Sequence, residues 1–500
     1  MMTSEAAVEE YVLAARTRPG LLSRLCCFPV LLACTLALLV FFVFPRTIAD
    51  PDLGWHLKNA AYLLQHHDVV RRDVFSFTTG DDPWIDHEWL AELPFYAAWK
   101  FAGVRGIWLV AITLVETSLL GIFALAYQQS RNAKAAFLVC LPAILLSSVS
   151  FGPRTLLFGW ICLVPELIIL ARFQNGCDAT WLLPPLFALW VNLHGSWLIG
   201  MILLIVFLLC GLLEGQWGQI EARAWNSLQR RKLAAASVLS MVALFVNPYG
   251  WRLVAYPFDM AFHQKLNISS VVEWQPLDFH SPRGKVVVGM MAAAILLQLV
   301  GSRTWMFYEL CFALIGLYSG LTYSRFLFLA AILICPEFSE HIATFLPHHD
   351  TPEKPWLGAG ILTCAIAAMA LQIPGAEQLN NAECGAYPCQ TMSYLKQLHP
   401  DGNTLNDYLW GGYLIWKAPQ IRVFIDSRVD IFEHHGVFED YLHAVRLDGT
   451  LSILDKYKIR YVVFKNDSPL TRFLEHTPQW KLDYKDNTSV VLERVGVVSR

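Results

Sequence analysis

Long apolar stretches separated by short polar segments occupy the first three quarters of the chain. A helix that crosses the hydrocarbon core of a membrane needs about 20 mostly apolar residues, and fewer where neighbouring helices bury it. Eleven stretches suit this role, and we predict that each is a transmembrane helix: residues 27–45, 106–127, 135–149, 155–170, 181–193, 197–213, 233–246, 286–300, 305–321, 326–334 and 356–373. The polar bend NLHGS at 192–196 separates the fifth and sixth stretches.

The short loops between these stretches carry an uneven distribution of positive charge. Lys and Arg collect in the N-terminal tail, in RNAK at 131–134, in the loop with Arg230 and Arg231, and at Arg303. In an alternating path these segments fall on one side, which the positive-inside rule assigns to the cytoplasm. The loop 46–105, the bend at His194, the stretch 247–285 and the C-terminal region are then predicted to be external.

A change of pattern near residue 375 predicts a second structural unit. Short β-branched and aromatic runs, RVFID at 422–426, RYVVF at 460–464 and SVVLERV at 489–495, alternate there with helical patterns. This alternation is typical of a small α/β domain. We therefore divide the chain into a cytoplasmic tail (1–26), a membrane body (27–374) and an extracytoplasmic α/β domain (375–500).

Composition agrees with a polytopic α-helical membrane protein. Hydrophobic residues make up 55% of the 500-residue chain and charged residues only 16%, and the mean hydropathy is +0.42. A soluble globular protein does not tolerate these values. The net charge of -3, with no long run of Lys and Arg, argues against nucleic acid as a partner.

The first external loop is unusually rich in ionisable side chains. ADPDLGWHL at 49–57 places Asp50 and Asp52 directly after the first predicted span, and DDPWIDHEWLAELPFYAAW follows at 81–99. Two amphipathic helices are predicted in this loop, at 53–65 and 88–101, with tryptophans suited to the membrane interface. Because connecting loops are usually short, this one is predicted to form a functional platform on the membrane surface.

These features resemble those of a known superfamily. Membrane glycosyltransferases of the GT-C superfamily have a many-spanning body, a long first external loop, an acidic motif just after the first span and often a soluble C-terminal domain. DPDLGWHL, WIDHEWLAE, WVNLHGSWLIG, NPYG, NDYLWGGYLIW and VFIDSRVD look like motifs of a bacterial subgroup of GT-C-like membrane proteins. The resemblance is one of architecture over the whole chain, and it implies a location in the bacterial inner membrane.

The resemblance implies sugar transfer from a polyprenyl-phosphate-linked donor to a glycan, lipid or protein acceptor at the external face. Such a reaction needs a base for the acceptor and cations for the leaving phosphate. Asp52, ahead of Asp50, is then the predicted catalytic carboxylate. The predicted substrate-binding side chains, which lie near the external ends of the spans, are His56, Asp86, His87, Glu88, Arg154, His194 and Arg325.

A divalent metal, Mg or Mn, is used by some members, and Asp50 and Asp52 are the ligands that would hold it here. Simpler interpretations stay open for these residues. The acidic pair could cap the helix that begins at Leu53, and the two arginines could reach lipid headgroups. Asp426 and Arg428 are predicted as an internal structural pair. Cys384 and Cys389, in CGAYPC, are predicted as a possible disulfide.

Other classes of function stay open as well. A transporter is expected to show paired repeats with broken helices at corresponding positions, and the sequence has one obvious break, at 192–196. A non-catalytic scaffold of envelope glycan assembly fits the C-terminal region but leaves the acidic loop unexplained. A polymerase or ligase for lipid-linked glycans is a third alternative.

Overall fold

The computed structural model describes residues 25–495, apart from 81, 302, 350–353 and 399. Most of the predicted cytoplasmic tail, residues 1–24, lies outside this range. Each of the eleven predicted apolar stretches coincides with a helix: α1 (Phe28–Val43), α3 (Trp89–Ser130), α4 (Ala133–Ser147), α5 (Leu156–Gln174), α6 (Leu183–Leu193), α7 (Trp197–Cys210), α8 (Ser227–Ala243), α11 (Pro282–Val300), α12 (Phe307–Thr322), α13 (Leu327–Ala343) and α14 (Pro355–Gln372).

Six helical segments among the described residues are long and apolar enough to cross a membrane, and they lie in α3, α4, α5, α11, α13 and α14. Helices α1, α6, α7 and α12 are apolar but shorter. The stretch predicted at 326–334 is longer than expected, because α13 continues to Ala343. The polar bend between α6 and α7 is present, since α6 ends at Leu193 and α7 begins at Trp197.

Two predicted helices meet within α3. Gly103 has φ 60° and ψ -143°, which is a backbone conformation open to glycine but strained for other residues. It separates the helix predicted at 88–101 from the span predicted to begin at 106. The first loop also contains the predicted amphipathic helix, α2 (Leu53–His66), so that both predicted helices are present. Trp55 and Trp84, however, are buried against the C-terminal region and are not available to a membrane interface.

The remaining elements of the membrane body are short. Helices α9 (Trp251–His263) and α10 (Lys265–Ser270) lie in the stretch predicted to be external. At the end of the membrane helices opposite to α9 and α10, a small sheet pairs β1 (Gly215–Trp217) with β2 (Ile220–Ala222), and β2 with β3 (Trp305–Met306).

A mixed four-stranded sheet organises the C-terminal region. Its order is β4-β5-β7-β6, with β4 (Asn403–Asn406) parallel to β5 (Ile459–Lys465), and with β6 (Trp480–Lys485) and β5 both antiparallel to β7 (Ser489–Arg494). Its helices are α15 (Ala376–Ala386), α16 (Cys389–Leu398), α17 (Gly411–Lys417), α18 (Val429–His434), α19 (Val437–Val445), α20 (Thr450–Lys456) and α21 (Pro469–Glu475). A disulfide joins Cys384 to Cys389 at the start of this region.

One predicted strand is wrong. Residues 422–426 are not part of the sheet and make a single parallel bridge, between Val423 and Ser76. Val423 N donates to Phe75 O at 3.1 Å, and Phe77 N donates to Val423 O at 3.2 Å. The β-branched pattern reflects burial of this segment against the first loop, which satisfies its backbone instead of a neighbouring strand.

The first loop and the C-terminal region share a hydrophobic core. Trp55, Phe75 and Trp84 pack in the same cluster as the buried residues of the sheet, whereas the membrane helices form a separate cluster. Helix α2 also crosses α17 so closely that a Cβ on Gly54 would collide with the carbonyl oxygen of Gly412. The glycines of DLGWHL and LWGGYL therefore permit the contact that sets Asp52 against the C-terminal region.

Candidate functional site

A polar cavity of about 370 Å³ lies between the first loop, the loop ends of the membrane body and the C-terminal region. The first loop contributes Asp52, His87 and Glu88 to its wall, and the membrane body contributes Arg154 and Arg325. Five of the residues predicted from the sequence therefore face one space. Its volume falls within the roughly 300–1,000 Å³ typical of small-molecule sites.

Asp52 lines this cavity, whereas Asp50 accepts backbone hydrogen bonds at the start of α2. Asp52 occupies the position before α2, but its carboxylate accepts no hydrogen bond from the backbone of that helix. It accepts one from Trp55 Nε1 at 3.3 Å. Asp50 Oδ1 accepts a bond from Asp52 N at 2.9 Å, which holds the two carboxylates in a fixed relation.

The surroundings of the acidic pair raise the pKa of both carboxyl groups. Burial, followed by the negative charge of Asp50, raises the pKa of Asp52 to about 7. Burial also raises the pKa of Asp50, although the positive charge of Arg154 opposes the shift. A carboxyl group with a pKa near 7 is suited to exchange a proton with a substrate at physiological pH.

Arg154 forms ion pairs with two carboxylates. Its Nε lies 3.2 Å from Asp50 Oδ2, and its Nη1 pairs with Glu273. Burial disfavours its charge, but Asp50 and Glu273 outweigh that effect and raise the pKa of Arg154. This contact places Arg154 within the protein, so it does not extend to lipid headgroups.

Two other arginines line the cavity with unused hydrogen-bonding capacity. The Arg325 guanidinium lies 4.2 Å from the ring centre of Trp274, it forms no ion pair among the described residues, and its buried Nε has no partner there. Arg428 pairs with Asp426 at 2.6 Å and with Asp73 at 3.0 Å, yet its buried Nη1 also has no partner in the described chain. The predicted Asp426–Arg428 pair is thus present and lies at the cavity.

Glu88 is the centre of a cluster of imidazoles behind the acidic pair. Its carboxylate lies 3.1 Å from His194 Nε2, 3.4 Å from His87 Nε2 and 3.5 Å from His56 Nε2. Ser196 N donates to His194 Nδ1 at 2.9 Å, which leaves the proton on Nε2 for Glu88. Burial raises the pKa of Glu88, but the positive charge of His87 and the bond from His194 outweigh it and hold the pKa well below the ordinary value.

The other predicted residues of the first loop support this cluster. His56 Nδ1 lies 2.8 Å from Glu92 Oε1, and burial lowers the pKa of His56 to about 4, so the ring is neutral. Asp86 Oδ1 accepts a bond from Glu88 N at 3.2 Å, and burial raises the pKa of Asp86 to about 7. These side chains position Glu88, whereas His87 reaches the cavity and stacks on Tyr256 at 4.3 Å.

The acidic pair does not provide a set of donors for a divalent cation. Within the part of the chain that the structure describes, no three His, Cys, Asp or Glu side chains are grouped to hold one ion. One oxygen of Asp50 already contacts a guanidinium, and Asp52 accepts an indole N–H. Because a cation there would face the positive charge of Arg154, we derive no metal-dependent step.

Comparison with known proteins gives a clear result at the level of fold. No protein-family model and no curated protein matches the chain. Among solved structures, ArnT from Cupriavidus metallidurans bound to undecaprenyl phosphate is similar, with a TM-score of 0.56, 13% identity, and coverage of 94% of this chain and 98% of that one. The oligosaccharyltransferase of Archaeoglobus fulgidus tethered with an acceptor peptide has a TM-score of 0.55, 10% identity, and coverage of 87% and 68%, respectively.

This chain has a GT-C-like fold. Both neighbours are GT-C membrane glycosyltransferases, so the superfamily resemblance noted in the sequence is confirmed at the level of fold. In this GT-C-like fold Asp52, which follows the first helix, faces a cavity that is partly lined by the C-terminal region.

Several cavity residues of the GT-C-like fold are missing from the sequence-based set. Glu273 and Trp274 come from the predicted external stretch, and Ser427 and Asp430 come from the C-terminal region. Trp55 Nε1 donates to Ser427 Oγ at 3.0 Å, and Tyr256 OH donates to Asp430 Oδ2 at 3.2 Å. Ser427 and Asp430 belong to the motif VFIDSRVD, which was noted in the sequence. Their distance from Asp52 along the chain hid their proximity to it in the fold.

Proposed function

We propose that the protein transfers a sugar from a polyprenyl-phosphate-linked donor to an acceptor hydroxyl or amide at the external face of the membrane. The observation that carries the proposal is an apolar cavity whose lining comes within two residues of Arg325 along the chain. It has a volume of about 450 Å³ and lies between α4, α11, α12 and α13, with Leu321 and Leu327 at the end near Arg325. A lipid chain in the apolar cavity would bring its phosphate to Arg325.

The chemistry of the polar cavity suits this reaction. An acceptor oxygen or nitrogen forms a bond to the anomeric carbon while the bond from that carbon to the phosphate oxygen breaks. Asp52 takes the acceptor proton. The Arg325 guanidinium, which forms no ion pair among the described residues, binds the departing phosphate, for which its geometry is well suited. Arg154 holds Asp50 in place beside Asp52.

The proposed membrane topology is based on the end of the helices at which these groups lie. The acidic loop, Arg154, His194, Arg325 and the C-terminal region meet at one end of the helices, whereas Arg303 lies at the other end with Glu337. We propose that the first end is external and that eleven helices cross the membrane, with the N-terminus in the cytoplasm. A cysteine at Lys481 is then labelled by a membrane-impermeant thiol reagent in spheroplasts, and labelling only after lysis would contradict this topology.

Native mass spectrometry of the purified protein tests the proposed donor. We expect the wild-type protein to retain polyprenyl phosphate, and Arg325→Gln to retain much less because the lipid phosphate loses its cation. Arg71→Gln is the matched control, since Arg71 has a half-exposed side chain that pairs with Asp68 outside the cavity. Absence of polyprenyl phosphate from the wild-type protein after supplementation with that lipid would contradict the proposal, as would equal retention by both variants.

A further inference from the structure

A second groove lies at the carboxyl end of the C-terminal sheet. It has a volume of about 350 Å³ and is lined by residues that include Asp407, Tyr408, Phe438, Tyr441, Leu442 and Lys465; we call it the carboxyl-end groove. Asp407 directly follows β4, and Lys465 ends β5. Because β4 and β5 are parallel, their carboxyl ends meet at one edge, where α/β folds bind ligands.

The floor of the groove carries matched charges. Lys465 Nζ lies 3.2 Å from Asp407 Oδ2, and Asp407 Oδ1 accepts a bond from Leu409 N at 3.0 Å. The Asp407 side chain is buried, whereas the Lys465 side chain is 41% exposed. The pair offers an acceptor and a donor without net charge, which favours a neutral polar ligand.

Aromatic rings form the wall above this pair. The Tyr408 ring centre lies 6.3 Å from that of Phe438 and 6.1 Å from that of Tyr441. The Tyr441 hydroxyl accepts a bond from Tyr408 N at 3.2 Å, and its own proton has no acceptor among the described residues. Buried tyrosine hydroxyls usually find a partner, so this proton is available to a ligand in the groove.

The groove adjoins the polar cavity. Tyr408 and Leu409 line both spaces, so the two are separated by no more than these side chains. The Asn406 side chain holds the segment 424–425 beside β4, since its Nδ2 donates to Ile425 O and its Oδ1 accepts from Phe424 N, both at 2.8 Å. This arrangement disfavours a peptide that would bind by adding a strand to β4. The combination of apolar rings with isolated donors and acceptors suits sugar rings, which have apolar faces and hydroxyl edges.

We propose that the carboxyl-end groove binds a neutral glycan chain, which is the acceptor of the transfer reaction. The role of this glycan as the acceptor rests on the proposed function, whereas glycan binding in the groove does not depend on it. A chain bound along the groove presents its terminal sugar hydroxyl to Asp52, while the lipid-linked donor approaches from the membrane side.

Fluorescence anisotropy of the full-length protein in lipid nanodiscs tests this site without any lipid-linked donor. The probes are dye-labelled linear oligomers of four to eight glucose or N-acetylglucosamine units. Leu442→Trp fills the groove from its wall, and Val445→Trp is a second blocking variant; both native side chains are partly exposed. Leu482→Trp is the matched control, because Leu482 is 44% exposed on β6, away from the groove.

We expect saturable binding of at least one oligomer by the wild-type protein and by Leu482→Trp, and at least tenfold weaker binding by whichever blocking variant has the wild-type melting temperature. No saturable binding by the wild-type protein would overturn the inference, as would equal binding by the blocking and control variants. Displacement of the glycan by a labelled hexapeptide library, with tighter peptide binding, would instead assign the groove to a peptide. None of these outcomes alters the retention of polyprenyl phosphate, so the proposed function is judged separately.

Discussion

Arg303 and Arg325 lie at opposite ends of the α12–α13 helix pair and have opposite surroundings. Arg303 contacts three carboxylates, with Glu309 at 3.0 Å, Glu337 at 3.1 Å and Glu340 at 2.8 Å. Arg325 has no ion-pair partner among the described residues and stacks on Trp274. A buried cation with several carboxylates holds helices together, whereas a buried cation that lacks one retains the capacity to bind an anion.

The same contrast applies to the carboxylates. Asp52 of the acidic pair borders the polar cavity, whereas the three carboxylates around Arg303 all contact one guanidinium. Asp50 is paired with Arg154, but Asp52 has only neutral hydrogen-bond donors. Around Arg303 the charges are therefore matched, whereas the proposed reactive charges, Asp52 and Arg325, are left partly unmatched at a cavity. Four predictions test this distinction.

The largest effect is expected for Asp52→Asn. Asparagine keeps the size of the side chain and removes almost all of its basicity, so transfer should fall by about 10² to 10⁴, the usual contribution of a general base. Stability should not fall, because Asn caps as well as Asp and needs no proton in the folded state. Glycan transfer by membranes with matched amounts of each protein is the measurement, and wild-type transfer by this variant would remove Asp52 from the reaction.

A loss of stability is expected for Arg303→Gln. Removal of one partner from a buried ionic cluster typically costs about 3–5 kcal/mol. The lower end of this range is expected because the Glu340 side chain is 37% exposed. Denaturation of the detergent-solubilised protein measures the effect, with Arg325→Gln as the control, which should lose no more than about 2 kcal/mol because it removes one cation–π contact and no ion pair. Equal destabilisation of the two variants would break the comparison.

A smaller effect on turnover is expected for Arg325→Lys. Lysine keeps the positive charge but loses the planar fork that binds two phosphate oxygens, so transfer should fall by about tenfold. The expected pattern is a reduced rate with an unchanged melting temperature. A lowered melting temperature with a normal rate would mean that Arg325 is a packing residue on Trp274.

The smallest effect concerns pH. Since the pKa of Asp52 is raised to about 7, the fraction of this group available as a base rises with pH, and the rate should increase about threefold between pH 6.5 and 7.5. Its contribution to stability has the opposite sign. The folded protein keeps a proton that the unfolded chain loses above about pH 4, so this contribution falls as the pH rises from about 4 to about 7. A rate profile that is the same in wild type and Asp52→Asn would exclude Asp52 as its source.

The helices of the membrane body could be predicted from the sequence alone. Hydrophobic stretches and their polar boundaries are local properties, and each of the eleven predicted stretches coincides with a helix. The long first loop with its two surface helices, and the position of Asp52 after the first helix, were also readable from local pattern. The strand predicted at 422–426 failed because a β-branched run reports burial, and burial against a loop gives the same pattern as burial in a sheet.

Which charged side chains come into contact could be seen only in the tertiary structure. Arg154 could have reached a lipid headgroup or a phosphate, and it instead pairs with Asp50 and Glu273, residues more than 100 positions away in either direction. Arg428 was predicted only as the partner of Asp426, and the fold also sets it at the cavity wall. Such contacts depend on how helices and loops pack over long distances along the chain. A local pattern carries no information about that packing, and so the pairing of charges became visible only in the folded protein.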